Sequence, residues 1–422
     1  MDTEQPTAEI PTEPVILPRA EHTISRKQID ENSLKVLYRL RRHGYKAYLV
    51  GGGVRDLLLG RTPKDFDVGT DATPNQVKKL FRNCFLVGRR FRLAHIRFAG
   101  GSLIEVATFR RQATEEDRPE DPSLNPFYAE NLFGTPRQDA FRRDFTINAL
   151  FYDIEDFSII DHVGGLRDLR DQRLRVIGDP LVRFAEDPVR MLRALEFVAR
   201  LGFSLDETAR EAIYLRSALI AEAAPARLRE ELMELFRHKV AGHVFANAQG
   251  LGLLEYIIPG YQAGPGTLAL LDAIDRRTAA GQPVTESLVL AALYYETFSA
   301  GLVDAGDLPI GEVLGRAAKL LIPHCLHFHI ASGIRHQAAE LLVGCYRLQR
   351  GPGRRGQQRF VRHPSFAAAL AFYQLCCAAG QGDVELLSAW RQSLTETPKE
   401  APRQRPRRRR RRRKPASSPS QS

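Results

Sequence analysis

The stretch from Tyr48 to Asp67 constrains the fold of this chain more than any other. It reads Tyr-Leu-Val-Gly-Gly-Gly-Val-Arg-Asp-Leu-Leu-Leu-Gly-Arg-Thr-Pro-Lys-Asp-Phe-Asp. An apolar strand runs into a glycine turn, a short helix follows, and a second strand carries Asp65 and Asp67. Because side chains two residues apart in a strand point to the same face, the spacing predicts two adjacent carboxylates. Such a pair is costly unless cations neutralise it, which indicates a metal site.

Two further features extend this site. Gly52 and Gly53 leave backbone N–H groups available at a helix start, where phosphates bind well. A third carboxylate, Glu105, lies in the apolar run Leu-Ile-Glu-Val-Ala at 103–107. If its strand adjoins the first, Glu105 joins the aspartates, and three clustered carboxylates can hold two Mg²⁺ ions. The structural alternative is a surface strand with solvated acids.

The pattern of apolar residues predicts an α+β protein built from several parts. Strand and helix signals alternate up to about residue 177 and predict a small mixed β-sheet, after which helical periodicity predicts an elongated all-α extension. Local patterns predict helices over 139–149 and 181–201 and a strand over 154–160. The expected parts are a disordered lead at 1–24, an α+β head at 25–177, a helical neck at 178–240, a helical body at 241–395 and a disordered basic tail at 396–422.

The positive charge of the chain is concentrated at one end. The formal net charge is +11, yet residues 403–422 carry ten Lys and Arg and no acid, so the rest is nearly neutral. A run of this kind repels itself and usually binds nucleic acid or another polyanion. A solubilising tail is the alternative.

Cysteine usage and hydropathy indicate the compartment. The five cysteines include no CxxC pair, no signal-peptide pattern begins the chain, and no apolar stretch reaches the length of a membrane span. These features predict a reduced, cytoplasmic protein without a membrane span.

The glycine turn and its Asp-x-Asp resemble the signature of the nucleotidyltransferase superfamily. The longer run at 49–60, Leu-Val-Gly-Gly-Gly-Val-Arg-Asp-Leu-Leu-Leu-Gly, resembles its class II branch, which contains bacterial poly(A) polymerases and CCA-adding tRNA nucleotidyltransferases. Four later segments are similar to further motifs of that branch, in order: 142–149, 161–168, 186–190 and 226–231. The third resembles the motif that reads the incoming base, and the resemblance covers about residues 30–240.

The resemblance implies a role for each motif. Asp65, Asp67 and Glu105 would be catalytic and would bind two Mg²⁺ ions, with ATP as the substrate. The neck would contact the base and RNA, and the body would bind RNA. The implied nucleotide-binding residues are Gly52, Gly53, Arg55, Arg143, Asp144, Asn148, Asp187, Arg190 and Arg193. Read from the residues alone, the charged members also fit ordinary structural ion pairs.

The segment at 86–96 bears on the choice of product. It reads Leu-Val-Gly-Arg-Arg-Phe-Arg-Leu-Ala-His-Ile and resembles the poly(A) polymerase pattern, where CCA-adding enzymes more often have a Gly–small–aromatic–Gly run. With the basic tail, Arg89, Arg90 and Arg92 favour AMP addition to the 3′ ends of mRNA and other transcripts. CCA- or A-adding activity on tRNA, and a non-catalytic RNA-binding protein, are the alternatives.

Two later features have weaker meaning. His324, His327 and His329, with His336, alternate with apolar residues and have no CxxC partner, which favours a structural role over a zinc site. The basic, glycine-rich run at 351–359 fits either an RNA-binding loop or an ordinary exposed loop.

Overall fold

The computed structural model describes residues 12–88, 92–117, 132–303 and 306–396. Several sequence-based predictions fall outside these ranges. Arg89 and Arg90 lie outside them, as do the first eleven residues of the lead and residues 397–422, which hold the basic tail.

The head contains a mixed eight-stranded sheet within the described residues. In spatial order its strands run β1-β8-β7-β2-β3-β6-β5-β4, and β3 pairs with β6 in parallel while the other pairs are antiparallel. The strands are β1 Val15–Leu17, β2 Ala47–Val50, β3 Asp67–Thr70, β4 Cys84–Val87, β5 Leu93–Arg97, β6 Leu103–Thr108, β7 Leu150–Asp153 and β8 Ile159–Asp161. A separate parallel pair joins β9, Arg173–Leu174, to β10, Ser204–Leu205. This arrangement confirms the α+β prediction.

The two faces of the large sheet are covered differently. Helices α1 and α3 pack on one face, where Leu49, Val68 and Val106 join the main core. The opposite face holds a smaller cluster around Tyr48 and Phe151, on the side of β2 and β7. The head helices are α1 Glu31–Arg42, α2 Gly52–Leu58, α3 Pro74–Leu80, α4 Pro136–Arg142 and α5 Gly165–Arg170.

The helical extension follows the predicted periodicity closely. Its helices are α6 Pro180–Glu186, α7 Val189–Leu201, α8 Glu207–Arg216, α9 Pro225–Arg237, α10 Ala241–Gly250, α11 Leu254–Ile257, α12 Pro265–Ala279, α13 Glu286–Ala300, α14 Ile310–His327, α15 Ser332–Gln349, α16 Gln357–Val361, α17 Phe366–Ala378 and α18 Val384–Glu396. The single helix predicted over 181–201 is wrong, because Asp187 is extended and Pro188 is the N-cap that precedes α7. Among the described residues no helix is both long and apolar enough to cross a membrane.

The interpretation of the N-terminal segment as a flexible lead is wrong for the part that the structure describes. Val15–Leu17 forms β1 and pairs with Ile159–Asp161 at the edge of the sheet. His22 is buried, and its Nε2 lies 2.8 Å from the carbonyl oxygen of Phe157. Composition alone missed this strand because its partner lies more than 140 residues further along the chain.

The helix predicted over 139–149 and the strand predicted over 154–160 are also wrong. Helix α4 ends at Arg142, and the backbone then pairs across the fold, with the Thr146 N–H donating to Arg175 and the Ile177 N–H to Asp144. These long-range bonds outweigh the helical periodicity. A turn at 154–157 separates β7 from β8, so the apolar pattern there belongs to a hairpin.

The loop after β8 is held by one carboxylate. Asp161 is buried and accepts hydrogen bonds of 2.9–3.1 Å from the four consecutive backbone N–H groups of 163–166. Gly164 has φ +89°, and a Cβ added to Gly165 would lie 2.3 Å from the carbonyl oxygen of Thr146. The glycine pair therefore permits both a left-handed backbone conformation and a close backbone approach.

We expect Gly165→Ala to destabilise the head, because the added methyl group would overlap a backbone atom that cannot rotate away. The expected loss in the free energy of unfolding is about 1–3 kcal/mol by chemical denaturation. Gly315→Ala, within α14 and with nothing within 4 Å of an added Cβ, is the matched control. It should be neutral or stabilising by up to about 1 kcal/mol. Equal effects of the two changes would contradict this account.

Candidate active site

The three predicted carboxylates lie at one end of the β3–β6 pair. Val68 is paired with Val106, so Asp67 and Glu105, one residue earlier in each parallel strand, are neighbours. Asp65 lies in the segment before β3, and the prediction that it belongs to the strand is wrong. It remains close enough to act electrostatically on Asp67.

The crowding of these carboxylates changes the acidity of Asp67. Asp67 is exposed at one edge, but the protein removes much of the water around its carboxylate. This desolvation, followed by repulsion from Glu105 and Asp65, raises the pKa of Asp67 to about 6. The guanidinium of Arg143 opposes this rise. In the described part of the chain, no three His, Cys, Asp or Glu side chains stand close enough together to hold a metal as they are. Carboxylate oxygens are nevertheless the ligands that Mg²⁺ prefers, and a cation would relieve the crowding.

His95 is a neighbour of the site that the sequence analysis did not single out as a site residue. It is paired with Glu105 across β5 and β6, and its Nε2 lies 3.4 Å from Oε1 of Glu105. The contact limits where the exposed carboxylate of Glu105 can point. Only the register of the two strands reveals it, since the residues are ten positions apart.

The glycine turn brings a cation to the carboxylates. Gly51 has φ +73°, and a Cβ added to it would lie 3.0 Å from Nη1 of Arg143. Gly53 lies equally close to the backbone of Asp65, where an added Cβ would be 3.3 Å from the carbonyl oxygen. Arg143 also donates to the carbonyl oxygen of Asn148 and pairs with Asp139 at 3.1 Å. The structure therefore brings the glycine turn close to both Arg143 and Asp65.

Arg55 occupies a buried position. Its guanidinium donates to Asp56 and to Oδ1 of Asn148, and it lies over the ring of Phe197 at 5.1 Å. Burial lowers the pKa of Arg55, and Asp56 opposes that change. The contacts tie α2 to the 146–148 turn, which corresponds more closely to the structural alternative than to a free phosphate ligand.

A second carboxylate, Asp144, is the centre of a buried network. Arg193 of α7 donates to its Oδ2 at 2.8 and 3.2 Å, and Asn148 donates to its Oδ1 at 3.2 Å. Burial favours a raised pKa for Asp144, but Arg193 outweighs it and the pKa is lowered. Arg193 also approaches Glu231 of α9 at 3.6 Å. The network thus connects the head with two helices of the extension.

The predicted base-reading pair has partners that the sequence did not reveal. Arg227 of α9 donates to both oxygens of Asp187 at 2.8 Å, whereas Nε of Arg190 lies 3.9 Å from that carboxylate. Arg190 instead donates to Glu186 and to the carbonyl oxygen of Arg183. The helix predicted over 181–201 would have placed Asp187 and Arg190 on one face, but Asp187 lies between α6 and α7.

Arg183 is a further buried residue that the sequence analysis missed. Its Nη2 donates to the carbonyl oxygens of Arg142 and Arg143, both at 2.8 Å, and its Nη1 donates to Glu186. It therefore holds the end of α4 against α6. The available sequence signal was the spacing of three residues between Arg183 and Glu186, which suits an ion pair on one helix.

Of the histidines near the end of α14, His324 lies in the helical core, whereas His327 is half-buried and His329 is exposed. His324 is buried, its Nδ1 lies 3.3 Å from the hydroxyl of Tyr294, and its ring lies against Phe328. Burial, with a smaller effect of His327, lowers the pKa of His324 to about 3. These contacts support the structural interpretation.

Three family models match the chain in order. The Poly A polymerase head domain matches residues 47–175, the probable RNA and SrmB-binding site of polymerase A matches 202–264, and the polymerase A arginine-rich C-terminus matches 316–417. The first match contains all three carboxylates.

Relatives with assigned activities resemble the chain over most of its length. Poly(A) polymerase I of Salmonella typhi is 42% identical over 389 residues, which are 85% of this chain and 81% of that protein. Poly(A) polymerase I of Escherichia coli O6:H1 is 53% identical over 229 residues, which are 53% of this chain and 48% of that protein.

Solved structures share the fold. The CCA-adding enzyme of Bacillus stearothermophilus in complex with CTP aligns with a TM-score of 0.65 and 25% identity, over 86% of this chain and 81% of that one. A tRNA nucleotidyltransferase with a primer tRNA and an incoming ATP analog aligns with a TM-score of 0.61 and 25% identity, over 85% and 97%.

The raised pKa of Asp67 predicts how stability depends on pH without added metal. The folded chain retains the proton up to about pH 6, whereas the ordinary pKa is 3.8, so the stability contributed by Asp67 falls as the pH rises through that window. We expect Asp67→Asn to have the higher melting temperature above pH 6 and the same one below about pH 4, in buffer with EDTA. Glu222→Gln, an exposed control, should show no such window. A constant difference for Asp67→Asn across all pH values would contradict this expectation.

The Asp144–Arg193 pair predicts coupling between the head and α7. Asp144→Ala leaves the Arg193 guanidinium without its main partner, so we expect a loss of up to about 3 kcal/mol in the free energy of unfolding. A double-mutant cycle with Arg193→Ala should give a coupling energy of at least about 1 kcal/mol. Arg316→Ala in α14, which removes an exposed ion pair with Glu312, is the control and should change stability by less than about 0.5 kcal/mol. Strict additivity of the two changes at the buried pair would refute the coupling.

Proposed function

Because the chain belongs to the poly(A) polymerase I family of class II nucleotidyltransferases, we propose that it adds AMP from ATP to RNA 3′ ends without a template and releases pyrophosphate. The observation that carries this proposal is the 42% identity to Poly(A) polymerase I over 81% of that protein. CCA or A addition to tRNA is the second candidate, since the solved structures reported above include a CCA-adding enzyme and a tRNA nucleotidyltransferase. The match of residues 316–417 to an arginine-rich polymerase A C-terminus favours poly(A) synthesis.

In the proposed reaction the 3′ oxygen of RNA forms a bond to the α-phosphorus of ATP. The bond from that phosphorus to the oxygen bridging it to the β-phosphorus breaks, and the hydroxyl proton passes to solvent. Asp65, Asp67 and Glu105 would hold two Mg²⁺ ions, which when bound lower the pKa of the attacking hydroxyl and neutralise charge on pyrophosphate. The adjacency of Asp67 and Glu105 supports this assignment, and the pKa of Asp67, raised by desolvation and then by Glu105, agrees with a carboxylate that a cation would stabilise.

The residues around the carboxylates would orient the nucleotide. Gly52 and Gly53 would let the backbone approach the triphosphate, and Arg143 would contact it from across the turn, where its guanidinium already approaches Gly51. Arg55, Asp144 and Asn148 would act mainly by holding this region in place. Their mutual hydrogen bonds support such a positioning role.

Side chains of the protein, and not a nucleic-acid template, would select ATP. Asp187 and Arg190 would offer an acceptor and donors to the base edge, and Arg193 would support them from one turn further. The two hydrogen bonds from Arg227 to Asp187 would fix the carboxylate before the nucleotide arrives. A positioned acceptor loses less freedom on binding, which improves discrimination between bases.

The remaining parts of the chain would bind RNA. We assign residues 25–177 as the catalytic head, 178–240 as the neck that contacts base and RNA, and 241–395 as an RNA-binding body. Residues 396–422 would supply contacts to RNA phosphates, which strengthen binding without specifying sequence. The partners would be mRNA and other transcripts in the cytoplasm.

Incorporation of labelled nucleotides by the purified chain tests the function. With Mg²⁺ and ATP we expect long A tails on an unstructured RNA, because the protein reads the base and no template limits the product. Use of CTP confined to tRNA that lacks its 3′ end would instead identify a CCA-adding enzyme. No incorporation from either nucleotide would indicate a non-catalytic RNA-binding protein.

Two substitutions extend this test to the carboxylates. Asp65→Ala and Asp67→Ala should each abolish transfer, while RNA binding measured by gel shift stays nearly unchanged. Asp71→Ala, which removes an exposed carboxylate just beyond β3, is the control and should retain transfer. Full activity of Asp67→Ala would refute the proposed site.

A further inference from the structure

The carboxylate end of β3 and β6 continues into a row of side chains that crosses the sheet to its far edge. Asp67 neighbours Glu105, Glu105 is paired with His95, and His95 is paired with Phe85. Paired residues of adjacent strands present their side chains to the same face. These four side chains therefore share one face of the sheet, and Phe85 occupies the outermost strand, β4.

This face is uncovered by the described residues near β4. The side chain of Phe85 is 56% exposed, and those of Val87 and Leu103 are 45% and 43% exposed. Arg97 lies on the same face, with its guanidinium 5.8 Å from the centre of the Phe85 ring. An exposed aromatic ring on a sheet, beside an arginine, is the arrangement that binds single-stranded RNA by stacking its bases.

We propose that Phe85 stacks against the base of one of the last two nucleotides of the RNA to be extended, with Arg97 contacting an adjacent phosphate. This inference rests on the proposed function and adds the position of the RNA 3′ end on the head. The neck, body and tail would hold more distant parts of the RNA.

Continuity with the carboxylates favours RNA as the occupant of this face. Neighbouring strands lie about 4.8 Å apart, so β4 is two strand spacings, or roughly 10 Å, from Glu105. A 3′ hydroxyl at the carboxylates therefore leaves the bases just upstream within reach of Phe85. The positive charge nearby also favours RNA. Arg92 lies just before β5 and Arg97 is its last residue, on either side of His95 in the chain.

Steady-state kinetics with an RNA primer test the proposed stacking on Phe85 directly. Phe85→Leu keeps an apolar side chain but loses the aromatic face, so we expect KM for an unstructured RNA primer to rise about 5- to 100-fold, the range that loss of one stacked base gives. KM for ATP should stay within twofold, and Phe85→Trp should restore the primer KM. Ile16→Ala, at the opposite edge of the same sheet and 57% exposed, is the matched control and should change neither value.

Abasic primers distinguish stacking from a structural effect. A primer that lacks the base at one of its last two positions should bind the wild-type chain as weakly as Phe85→Leu binds the intact primer, and should show no further penalty with that variant. An undiminished Phe85→Leu penalty on every abasic primer would overturn the proposal. So would an unchanged primer KM in an active Phe85→Leu enzyme.

Two other outcomes separate this inference from its premise. If the wild-type chain incorporates no nucleotide, the proposed function fails, and gel shift of the same abasic primers still tests whether Phe85 stacks on RNA. If Phe85→Leu changes the oligomeric state by light scattering and leaves primer binding intact, the face joins two copies of the chain, and the proposal is refuted.

Discussion

The arrangement of the site depends on the hydrogen bonds that the carboxylate of Asp144 accepts. It accepts hydrogen bonds from Arg193 of α7 and from Asn148, and Asn148 in turn accepts from Arg55 of α2. Arg193 continues to Glu231 of α9. A chain of polar contacts thus runs from the glycine turn of the head into the extension. Such networks stabilise a structure only when every member is satisfied, and this one rigidifies the elements that would hold the nucleotide.

The site combines this satisfied interior with an unsatisfied surface. Asp67 and Glu105 are neighbours at one end of two parallel strands, and desolvation, followed by repulsion from Glu105, raises the pKa of Asp67. A fold gains nothing in stability from that crowding, and a bound cation, as in the proposed reaction, would relieve it. The outermost strand of the same sheet, β4, exposes Phe85, another residue whose position costs stability in water. The proposed metal site and the proposed RNA stacking would explain both departures from ordinary packing.

Local sequence patterns predicted much of the fold because turns and helices depend mainly on residues that are close together in the chain. The glycine turn and the short helix after it lie where the pattern placed them, and the part beyond 206 is helical as its periodicity predicted. The sequence also brought Asp67 and Glu105 together, since both follow from alternation in strands that proved to be neighbours. Some failures are local, such as the break of the helix predicted over 181–201 at Pro188. The larger failures are non-local. Backbone bonds from 144–146 to 175–177 replace a predicted helix, and Arg227 meets Asp187 across 40 residues. No local pattern encodes such pairings.

The pairing of β1 with β8 has a consequence for how the head is synthesised. Val15–Leu17 emerges from the ribosome first, but its partner, Ile159–Asp161, emerges more than 140 residues later. The central strand β2 likewise cannot pair with β7 until β7 has been synthesised. Contacts of such long sequence separation form late, because the intervening chain must first lose its freedom. At about 5–20 residues per second, the nascent head therefore exposes incomplete sheet edges for many seconds. We expect the ribosome-bound chain to depend on chaperones during this interval.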